Sequence, residues 1–483
     1  MSFVVAGICA DNAHWSSRQY IQVDPFPYYI GDLRGIEQKL GYLHGLGFTA
    51  ILINPIFASR FYHNYFADDF MKVDPTLGSN KDFFDLVGRA HKLGMKVILD
   101  VEVQYVADKH PWYRAVKDNP NSPYAKYIWT MGSKVFGDKL PSYDGRSIGF
   151  ATLNPDDPGL RSEIQKVFRY WAAPDGNSSH GVDGFRIDHM MDDLDSQHVK
   201  TGMLSGFWLP IEQSIRTLNP NIFFLGEQSD WGLGADLFAK AKVDAVYAIP
   251  LWGAWISHDK QKIEHALRET VATMPVGKTE FVFIENHDTK RYASAVDHDP
   301  GLLRLGAVFQ FTMAGTPMVY YGQELSMAGI QGKWGNDGND IPIRLAYRWT
   351  KTVDGNGAAD FYRNSGPWAN TGYTKDADGV SVEEERNDPR SLLNFYKRVI
   401  ELRLSTPALQ EGSFRPRGTK NPHLISYERT TKHQTVRVLL NLSKDTQTDS
   451  SGSFSGGLDL FTRKRLGPSV TLGPHGFVVC RVN

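Results

Sequence analysis

One short apolar segment carries an arginine and an aspartate whose spacing suits acid chemistry. In Gly184-Phe-Arg-Ile-Asp188, the side chains of Arg186 and Asp188 are two positions apart and therefore lie on the same side of a strand. A neighbouring guanidinium favours the charged form of a carboxyl group. An ionised carboxylate is what a covalent nucleophile requires, so the pair has the chemistry of an activated nucleophile.

Two further segments place acidic side chains after apolar runs. Glu227 follows the run Ile222–Leu225, whose desolvating surroundings favour a protonated carboxyl group that can act as a general acid. Glu285-Asn-His-Asp288 adds a third acid, Asp288, directly after an imidazole. Any one of these segments is also compatible with an ion-paired loop residue. Three of them in succession at separate strand ends favour a shared site of acid chemistry.

The elements that must position these residues form a repeating pattern of apolar strands and amphipathic helices. Near-continuous apolar strands that alternate with such helices predict a parallel sheet buried on both faces. Eight strands over about 400 residues favour a closed (β/α)8 TIM barrel over an open doubly wound sheet. The predicted strands are Phe3–Cys9, Phe48–Phe57, Lys96–Val103, Val182–Asp188, Ile222–Glu227, Ala245–Leu251, Phe281–Asp288 and Thr316–Gly322. The clearest predicted helices are Asp32–Leu46, Asn80–Leu93, Pro158–Ala173 and Ser391–Ser405.

Four acidic residues fit this arrangement. Asp100, Asp188, Glu227 and Asp288 all lie near the carboxyl ends of predicted strands. The carboxyl ends of barrel strands converge on one face, where the active sites of this fold are built. The sequence therefore predicts that the four carboxyl groups surround a common cavity.

Two regions depart from the barrel pattern. Residues 104–154 show no barrel repeat and are predicted to form a domain inserted after the third strand, so that the barrel comprises 1–103 and 155–408. Residues 409–483 are β-rich and indicate a small antiparallel C-terminal domain. Residues 329–388, rich in Gly, Asn and Asp, are predicted to form long loops over the barrel mouth. The predicted C-terminal strands are Leu424–Thr430, Thr435–Leu442, Leu458–Leu466 and Val470–Val482.

Composition bounds the partners and the compartment. The 483 residues include 53 Lys and Arg against 54 Asp and Glu, a balance that argues against nucleic acid and membrane surfaces as partners. The two cysteines, Cys9 and Cys480, cannot form a disulfide framework or a four-ligand zinc site and are predicted to be buried thiols. No stretch approaches the roughly 20 apolar residues of a membrane span, and the N-terminus lacks the positive region of a signal peptide. A cytoplasmic location is expected, with the mature form of a secreted protein as the alternative.

A glycine-rich segment provides only a weak cofactor signal. Gly45-Leu-Gly-Phe-Thr-Ala50 has the spacing of a dinucleotide fingerprint, but it closes a helix and enters a strand, whereas the fingerprint requires the reverse order. Gly45 and Gly47 are better interpreted as a helix C-cap, and no nucleotide or redox cofactor is implied.

Taken together, the acidic segments resemble the signature regions of the α-amylase family, glycoside hydrolase family 13. Residues 181–188 resemble its nucleophile strand, residues 225–227 its acid/base strand, and residues 285–288 with Arg291 its third-acid strand. The resemblance runs from about residue 31 to residue 405 and implies hydrolysis by a retaining mechanism. Other similar segments are Gly31–Ile36, Tyr62–Tyr65 with Asp69, Asp100–Val103, His110–Tyr113 and Gly315–Glu324.

The resemblance implies catalytic roles for three carboxyl groups. Asp188 would be the nucleophile, Glu227 the general acid/base, and Asp288 the group that binds hydroxyls of the distorted sugar at subsite −1. Double displacement requires the first two carboxyl groups to lie about 5–5.5 Å apart. The implied substrate-binding residues are Tyr65, which stacks on the sugar, Asp100, Tyr105, Arg186, which orients Asp188, His287 and Arg291.

The third-strand region departs from the family pattern. The family usually has Asn-His where this chain has Gln104-Tyr105. The family Asn commonly binds a structural Ca²⁺, and a fixed oxygen cage tolerates the longer Gln poorly, so the calcium site is predicted to be absent and no metal ligand is assigned. Tyr105 either replaces the imidazole as a hydroxyl donor or narrows the pocket. Phe66 stands where exo-acting α-glucosidases of the family often have Asp, which disfavours strict recognition of a chain end.

The expected function is retaining hydrolysis of α-1,4-glucosidic bonds in maltooligosaccharides or related α-glucans, including cyclodextrins. An α-glucanotransferase using the same covalent intermediate is the alternative, because the motifs do not distinguish water from a sugar acceptor. A non-catalytic relative is disfavoured, since such relatives usually lose catalytic carboxylates and all three are present here. The oligomeric state is not indicated by the sequence.

Overall fold

Eight parallel strands close into a barrel, which confirms the predicted fold class. The computed structural model describes residues 5–8, 21–23, 26–28, 32–129, 139–196, 198, 200–353, 366–373 and 375–482. Around the barrel, the neighbouring strands run in the order β1-β8-β7-β6-β5-β4-β3-β2. Their bounds are β1 Val5–Ile8, β2 Ala50–Ile53, β3 Lys96–Val101, β4 Gly184–Met190, β5 Phe223–Gln228, β6 Ala245–Tyr247, β7 Thr279–Val282 and β8 Thr316–Tyr320.

Strand parity explains why the acidic side chains enter the barrel. Ile98 and Leu225 belong to the apolar cluster that fills the barrel interior, and successive residues of a strand point to opposite faces. Asp100 and Glu227 lie two positions further along the same strands and therefore also point inward, one layer nearer the mouth. On the strand between them, Arg186 is in register with Asp100. The apolar layer thus forms the floor of a polar cavity.

The helices cover the outside of the barrel and are bounded by capping residues. Asp32 caps the first helix by accepting the main-chain N–H of Gly35 at 2.6 Å, and Gly47 ends it in the left-handed region at φ 99°. A Cβ atom on Gly47 would lie 2.6 Å from Ile400, so both conformation and space require glycine there. The C-cap interpretation is confirmed for Gly47, whereas Gly45 lies inside the helix. The barrel-side helices are Leu33–Leu46, Asn80–Lys92, Pro158–Ala172, Leu209–Arg216, Ile249–Ile256, Lys260–Thr273, Tyr292–Ala295, Pro300–Thr312 and Leu392–Leu404.

The segment after β3 forms a small sheet of its own. Tyr105–Ala107 pairs with Ser147–Thr152, which pairs in turn with Lys139–Pro141, and all pairings are antiparallel. The helix Pro111–Asp118 follows the strand Tyr105–Ala107 in the chain. It begins with proline, which lacks a main-chain N–H and is therefore well suited to the first turn of a helix. Because Tyr105 follows β3 so closely, this segment forms one wall above the barrel mouth.

A five-stranded antiparallel sheet follows the barrel. In sheet order its strands are β9 Ser413–Arg417, β10 Leu424–Thr430, β11 Thr435–Asn441, β13 Phe477–Arg481 and β12 Leu458–Asp459. Strand β9 was not predicted from the sequence. The prediction of one long strand over Val470–Val482 is wrong, because Gly473–Gly476, with His475 at φ 49°, separates Val470–Leu472 from β13. Cys480 on β13 is a buried free thiol, and Cys9 lies outside the described residues.

Several other boundaries differ from the predicted ones. Strand β6 ends at Tyr247 because Pro250 lies in the first turn of the helix Ile249–Ile256. Strand β7 ends at Val282, so Asp288 is carried by the loop that follows it. Within the described residues of 329–388, short helices at Asp337–Ile343, Pro367–Asn370 and Val382–Glu385 interrupt the loops. No helix among the described residues combines the length and hydrophobicity needed to cross a bilayer.

Two buried arginines, one on the helix Leu392–Leu404 and one on the last sheet, meet at the end of the helix Pro300–Thr312. Arg403 donates hydrogen bonds to the main-chain carbonyls of Phe311, Met313 and Gly315, at 2.8, 3.0 and 2.6 Å. Arg429 on β10 also donates to the carbonyl of Met313. These contacts satisfy the carbonyl groups that the helix Pro300–Thr312 leaves unpaired at its end.

We expect Arg403→Met to lower the thermal stability of the protein strongly. The substitution removes the donor of the carbonyl groups of Phe311 and Gly315, whereas the carbonyl of Met313 keeps Arg429, and the loss costs about 2 kcal/mol or more. Arg390→Met is the matched control, because the Arg390 side chain is exposed and its loss changes the free energy of unfolding by less than about 0.5 kcal/mol. Differential scanning calorimetry of both variants measures the effect, and equal unfolding temperatures would contradict it.

Candidate active site

Arg186 gathers three carboxyl groups at the barrel mouth. The side chain is 1% exposed, and its Nη1 atom lies 2.8 Å from Oδ1 and 3.0 Å from Oδ2 of Asp100. The same nitrogen donates a hydrogen bond to Asp188, while Nη2 lies 2.7 Å from Oε2 of Glu227. Burial acts against the charge on Arg186, but the surrounding carboxylates outweigh that effect and raise its pKa well above the ordinary value. Asp188 and Glu227 are therefore held at the two terminal nitrogens of one permanently charged guanidinium.

Glu227 is held at the end of β5 by the neighbouring strand. Its Oε2 atom accepts the main-chain N–H of His189 at 2.8 Å. His189 has a left-handed backbone at φ 45°, where the pairing of β4 with β5 shifts register between Ile187 and Met190. This irregularity turns the N–H of His189 toward Glu227 instead of into the sheet. Burial raises the pKa of Glu227 to about 8, against the opposing effect of Arg186, so the carboxyl group retains its proton at neutral pH.

Tyr65 and His287 form a stacked, hydrogen-bonded pair beside Asp100. The hydroxyl of Tyr65 donates to Oδ2 of Asp100 at 2.8 Å, and its oxygen lies 2.7 Å from Nε2 of His287. The two rings are 5.9 Å apart and nearly parallel. Burial lowers the pKa of His287 to about 4, so the ring is neutral at neutral pH. Because the hydroxyl proton of Tyr65 is directed at Asp100, the Tyr65 oxygen acts as an acceptor toward His287. We therefore assign the ring proton of His287 to Nε2, which also lies 3.0 Å from Oδ2 of Asp288.

Asp288 is paired with an arginine that the sequence analysis did not identify. Nη2 of Arg344 lies 3.0 Å from Oδ1 of Asp288, and Nε of Arg344 donates to the main-chain carbonyl of His287 at 2.9 Å. Burial acts to raise the pKa of Asp288, but His287 and Arg344 outweigh it and lower the pKa below its ordinary value. Asp288 is thus an ionised carboxylate. Arg344 lies in the loops over the mouth, where no motif marks it.

The three acidic side chains differ in their access to solvent. The exposed fractions are 20% for Asp188, 11% for Glu227 and 30% for Asp288, whereas Asp100 is fully buried. Asp188, Glu227 and Asp288 therefore reach the open side of the cavity, where a bound molecule can meet them. Asp100 contacts only the protein groups that orient it.

Two predicted substrate-binding residues have protein partners. The hydroxyl of Tyr105 donates a hydrogen bond to Asp195, and its ring packs on Phe66 and Phe150. Tyr105 thus narrows the rim of the cavity. Arg291 lies apart from the cavity: its buried guanidinium pairs with Glu285 at 2.9 Å and donates to the main-chain carbonyls of Ile343 and Tyr321. The prediction that Arg291 contacts substrate is not supported, because these partners turn it toward the protein interior.

Glu102 is a fifth acid at the cavity, and it was not predicted from the sequence. It follows β3 directly, is 1% exposed, and lies beside Asp188, because the pairing of Ile187 with Val101 leads one position further to these two residues. The signal was available in the sequence, because Glu102 stands two positions after Asp100 and therefore on the same side of the chain.

The third-strand region offers a calcium ion few oxygen ligands. The side-chain amide nitrogen of Gln104 donates to the main-chain carbonyl of His189 at 3.0 Å, and its Oε1 atom is buried without a hydrogen-bond partner. One free amide oxygen falls far short of the six to eight oxygen ligands that Ca²⁺ takes. Across the part of the chain that the structure describes, no group of three or more His, Cys, Asp or Glu side chains is arranged to hold a metal. These residues do not fit the family calcium site.

Comparison with known proteins extends the likeness over most of the chain. Residues 10–412 match the family described as "Alpha amylase, catalytic domain". The chain is 25% identical to Alpha-amylase 3 of Dictyoglomus thermophilum over 94% of its own length and 89% of that protein. It is 27% identical to a cyclomaltodextrinase of a Bacillus species over 87% of its own length and 68% of that protein.

The fold is shared with solved structures as well. The isomaltulose synthase of Klebsiella sp. LX3 superimposes with a TM-score of 0.80 at 20% identity, covering 99% of this chain and 98% of the other. The match to the family covers most of the residues that build the barrel and all of its candidate site residues. The chain belongs to the α-amylase family of glycoside hydrolases.

Proposed function

We propose that this enzyme is a retaining glycosidase that cleaves α-1,4-glucosidic bonds in maltooligosaccharides or related α-glucans by double displacement. The observation that carries the proposal is the placement of Asp188 and Glu227 on the two terminal nitrogens of the Arg186 guanidinium. An ionised group and a protonated group side by side are the two partners that a retaining mechanism requires. The relatives named cyclomaltodextrinase and Alpha-amylase 3 support the substrate class.

In the first step, Asp188 attacks the anomeric carbon as the glycosidic bond breaks. The proton of Glu227 passes to the leaving oxygen, and the electron pair of the broken bond remains on that oxygen. The charge that develops on the sugar ring is positive, so the ionised carboxylate of Asp288 stabilises the transition state. Arg186 keeps Asp188 oriented, and Asp100 anchors Arg186.

In the second step, Glu227 acts as a base. It takes a proton from the attacking water, the new bond forms between water oxygen and the anomeric carbon, and Asp188 leaves with the electron pair of the ester bond. Glu227 regains its proton in this step and is ready for the next cycle. Tyr65 offers its ring as a stacking surface, and His287 orients Tyr65 and Asp288 toward the sugar through its Nε2 atom.

The experiment that tests this function is a product profile with the anomeric configuration followed by NMR. Maltoheptaose, β-cyclodextrin, pullulan and sucrose are incubated separately with the enzyme, and the first product formed is expected to carry the α configuration. We expect cleavage of maltoheptaose or β-cyclodextrin and little turnover of sucrose. A product released first as the β-anomer, or an absence of turnover on all α-1,4-glucans, would contradict the proposal.

Transfer to a sugar acceptor is the second candidate, and one exposed aromatic side chain favours it. Trp231 follows β5 by three residues, is 40% exposed, and rests edge-on against Trp252 at 5.7 Å. An exposed, supported indole is suited to stack on the face of an acceptor sugar. Incubation with maltotriose separates the two functions. Glucose and maltose from the outset indicate hydrolysis, whereas longer oligosaccharides that appear before glucose indicate transfer.

We also propose that the enzyme holds no calcium ion at Gln104. The engagement of the Gln104 amide with His189 supports this. We expect prolonged treatment with a chelator to leave both the unfolding temperature and the rate on maltoheptaose unchanged. Native mass spectrometry of the untreated protein provides the direct measurement, and calcium located at Gln104 by anomalous scattering would contradict the proposal.

A further inference from the structure

Glu102 lies against Asp188 without a cationic partner of its own. In the described part of the chain, no lysine, arginine or histidine forms an ion pair with Glu102. The nearby Arg186 forms its ion pairs with Asp100, Asp188 and Glu227 instead. The strand pairing of Arg186 with Asp100 and of Ile187 with Val101 places Glu102 beside Asp188. Gln104 donates to the carboxyl group of Glu102 through its main-chain N–H and its side-chain amide. A buried carboxyl group in these surroundings is costly to ionise.

Two buried carboxyl groups that lie side by side can share a proton. They form a hydrogen bond only if one of the two groups is protonated. The carboxyl group of Asp188 accepts a hydrogen bond from Arg186, whereas burial and the charge of Asp188 both raise the pKa of Glu102 well above its ordinary value. The proton therefore belongs to Glu102, and its O–H donates to the carboxylate of Asp188.

Gln104 holds Glu102 in this orientation. The main-chain N–H of Gln104 donates to Oε1 of Glu102, and its side-chain amide lies 3.3 Å from Oε2 and 3.0 Å from the carbonyl of His189. The loop after β3 is thereby tied to the residue that follows Asp188 on β4. The other titratable groups facing this pair are Tyr105 from the same loop and, through it, Asp195.

We propose that Glu102 is a positioning residue that remains a neutral carboxylic acid and donates a hydrogen bond to Asp188. The proposal rests on the proposed function in one respect, the role of Asp188 as the nucleophile. The donated hydrogen bond fixes the orientation of the attacking carboxylate and withdraws electron density from it. Glu102 keeps its proton throughout the cycle.

The hydrogen bond affects the second step more than the first. When water attacks the anomeric carbon, the ester bond breaks and its electron pair returns to Asp188. The hydrogen bond from Glu102 strengthens as this negative charge returns, so it helps Asp188 to leave. Without the donor, the covalent intermediate should persist longer, which lowers kcat and KM together.

Two variants of similar size separate hydrogen bonding from packing. The amide of Glu102→Gln retains an N–H donor toward Asp188, whereas Glu102→Met fills the same space without one. We expect kcat on maltoheptaose to fall about 10- to 100-fold in Glu102→Met, with a parallel fall in KM and a pre-steady-state burst, and to remain within a few-fold of the parent in Glu102→Gln. Equal losses in both variants, or no loss in Glu102→Met, would overturn the proposal.

Infrared difference spectroscopy gives a readout that does not depend on activity. Protonated carboxyl groups that both proteins share, such as Glu227, cancel when the spectrum of Glu102→Gln is subtracted from that of the parent at neutral pH. The difference should contain one carbonyl stretch of a protonated carboxylic acid, which belongs to Glu102. A difference without that band overturns the proposal even if the enzyme acts on an unexpected substrate. Conversely, a band assigned to Glu102 in a protein that cleaves no α-glucan would uphold the protonation of Glu102 and refute the proposed function alone.

Discussion

Asp188→Asn should lose on the order of 10⁴-fold or more in kcat on maltoheptaose, because it removes the atom that forms the covalent bond. The amide is nearly isosteric with the carboxylate, so the pocket and the contact with Arg186 are largely kept. Steady-state assays measure the loss, and calorimetry checks that the variant is folded. Retention of the parent rate would remove Asp188 from the proposed mechanism.

The matched control for this substitution lies on the outer surface of the barrel. Asp85 pairs with Lys81 one turn away on the helix Asn80–Lys92 and is far from the cavity floor formed by the strands. Asp85→Asn makes the same chemical change at an exposed position, and we expect it to leave kcat unchanged.

Glu227→Gln should slow the cleavage of natural glucans by about 10²- to 10⁴-fold, since the amide cannot transfer a proton to the leaving oxygen. An α-glucosyl fluoride needs little help from an acid to depart, so its first step should be affected far less. The intermediate should then accumulate, because the amide also fails to activate water. Equal losses on maltoheptaose and on the fluoride would contradict the role of Glu227.

The pH dependence of the parent enzyme provides a second test of Glu227. A general acid must be protonated, and burial raises the pKa of Glu227 to about 8. The value of kcat/KM should therefore fall as the pH rises through about 8. In Glu227→Gln this alkaline decline should be absent when the fluoride is the substrate. A decline that survives the substitution would have to come from another group.

The parts of the site that lie on strands could be predicted from the sequence. Asp100 and Glu227 each lie two residues beyond an inward-facing apolar residue of the same strand, so strand parity points them inward. Arg186 is in register with Asp100 on the neighbouring parallel strand and points inward with it. The barrel was predicted from apolar runs that alternate with helical segments, the insertion from the absence of that repeat, and the terminal sheet from a β-rich pattern. Glu102 stands two positions beyond Asp100 and obeys the same parity.

The parts of the site that lie on loops could not be predicted in the same way. Arg344 reaches Asp288 from a loop whose path has no periodicity, so only the folded chain brings the two together. Arg291 fell in a segment similar to the family pattern, but similarity of sequence does not give the direction of a side chain. In the C-terminal domain, the composition of Val470–Val482 favours one continuous strand, but His475 adopts a positive φ and interrupts it.

The most direct test of the central claim is to trap the covalent intermediate and locate it. Glu227→Gln is incubated with an α-glucosyl fluoride, quenched and digested, and the glycosylated peptide is sequenced by mass spectrometry. The account predicts a single glucosyl ester on Asp188. A glucosyl group found on any other side chain, or an unmodified protein that releases product of inverted configuration, would contradict it.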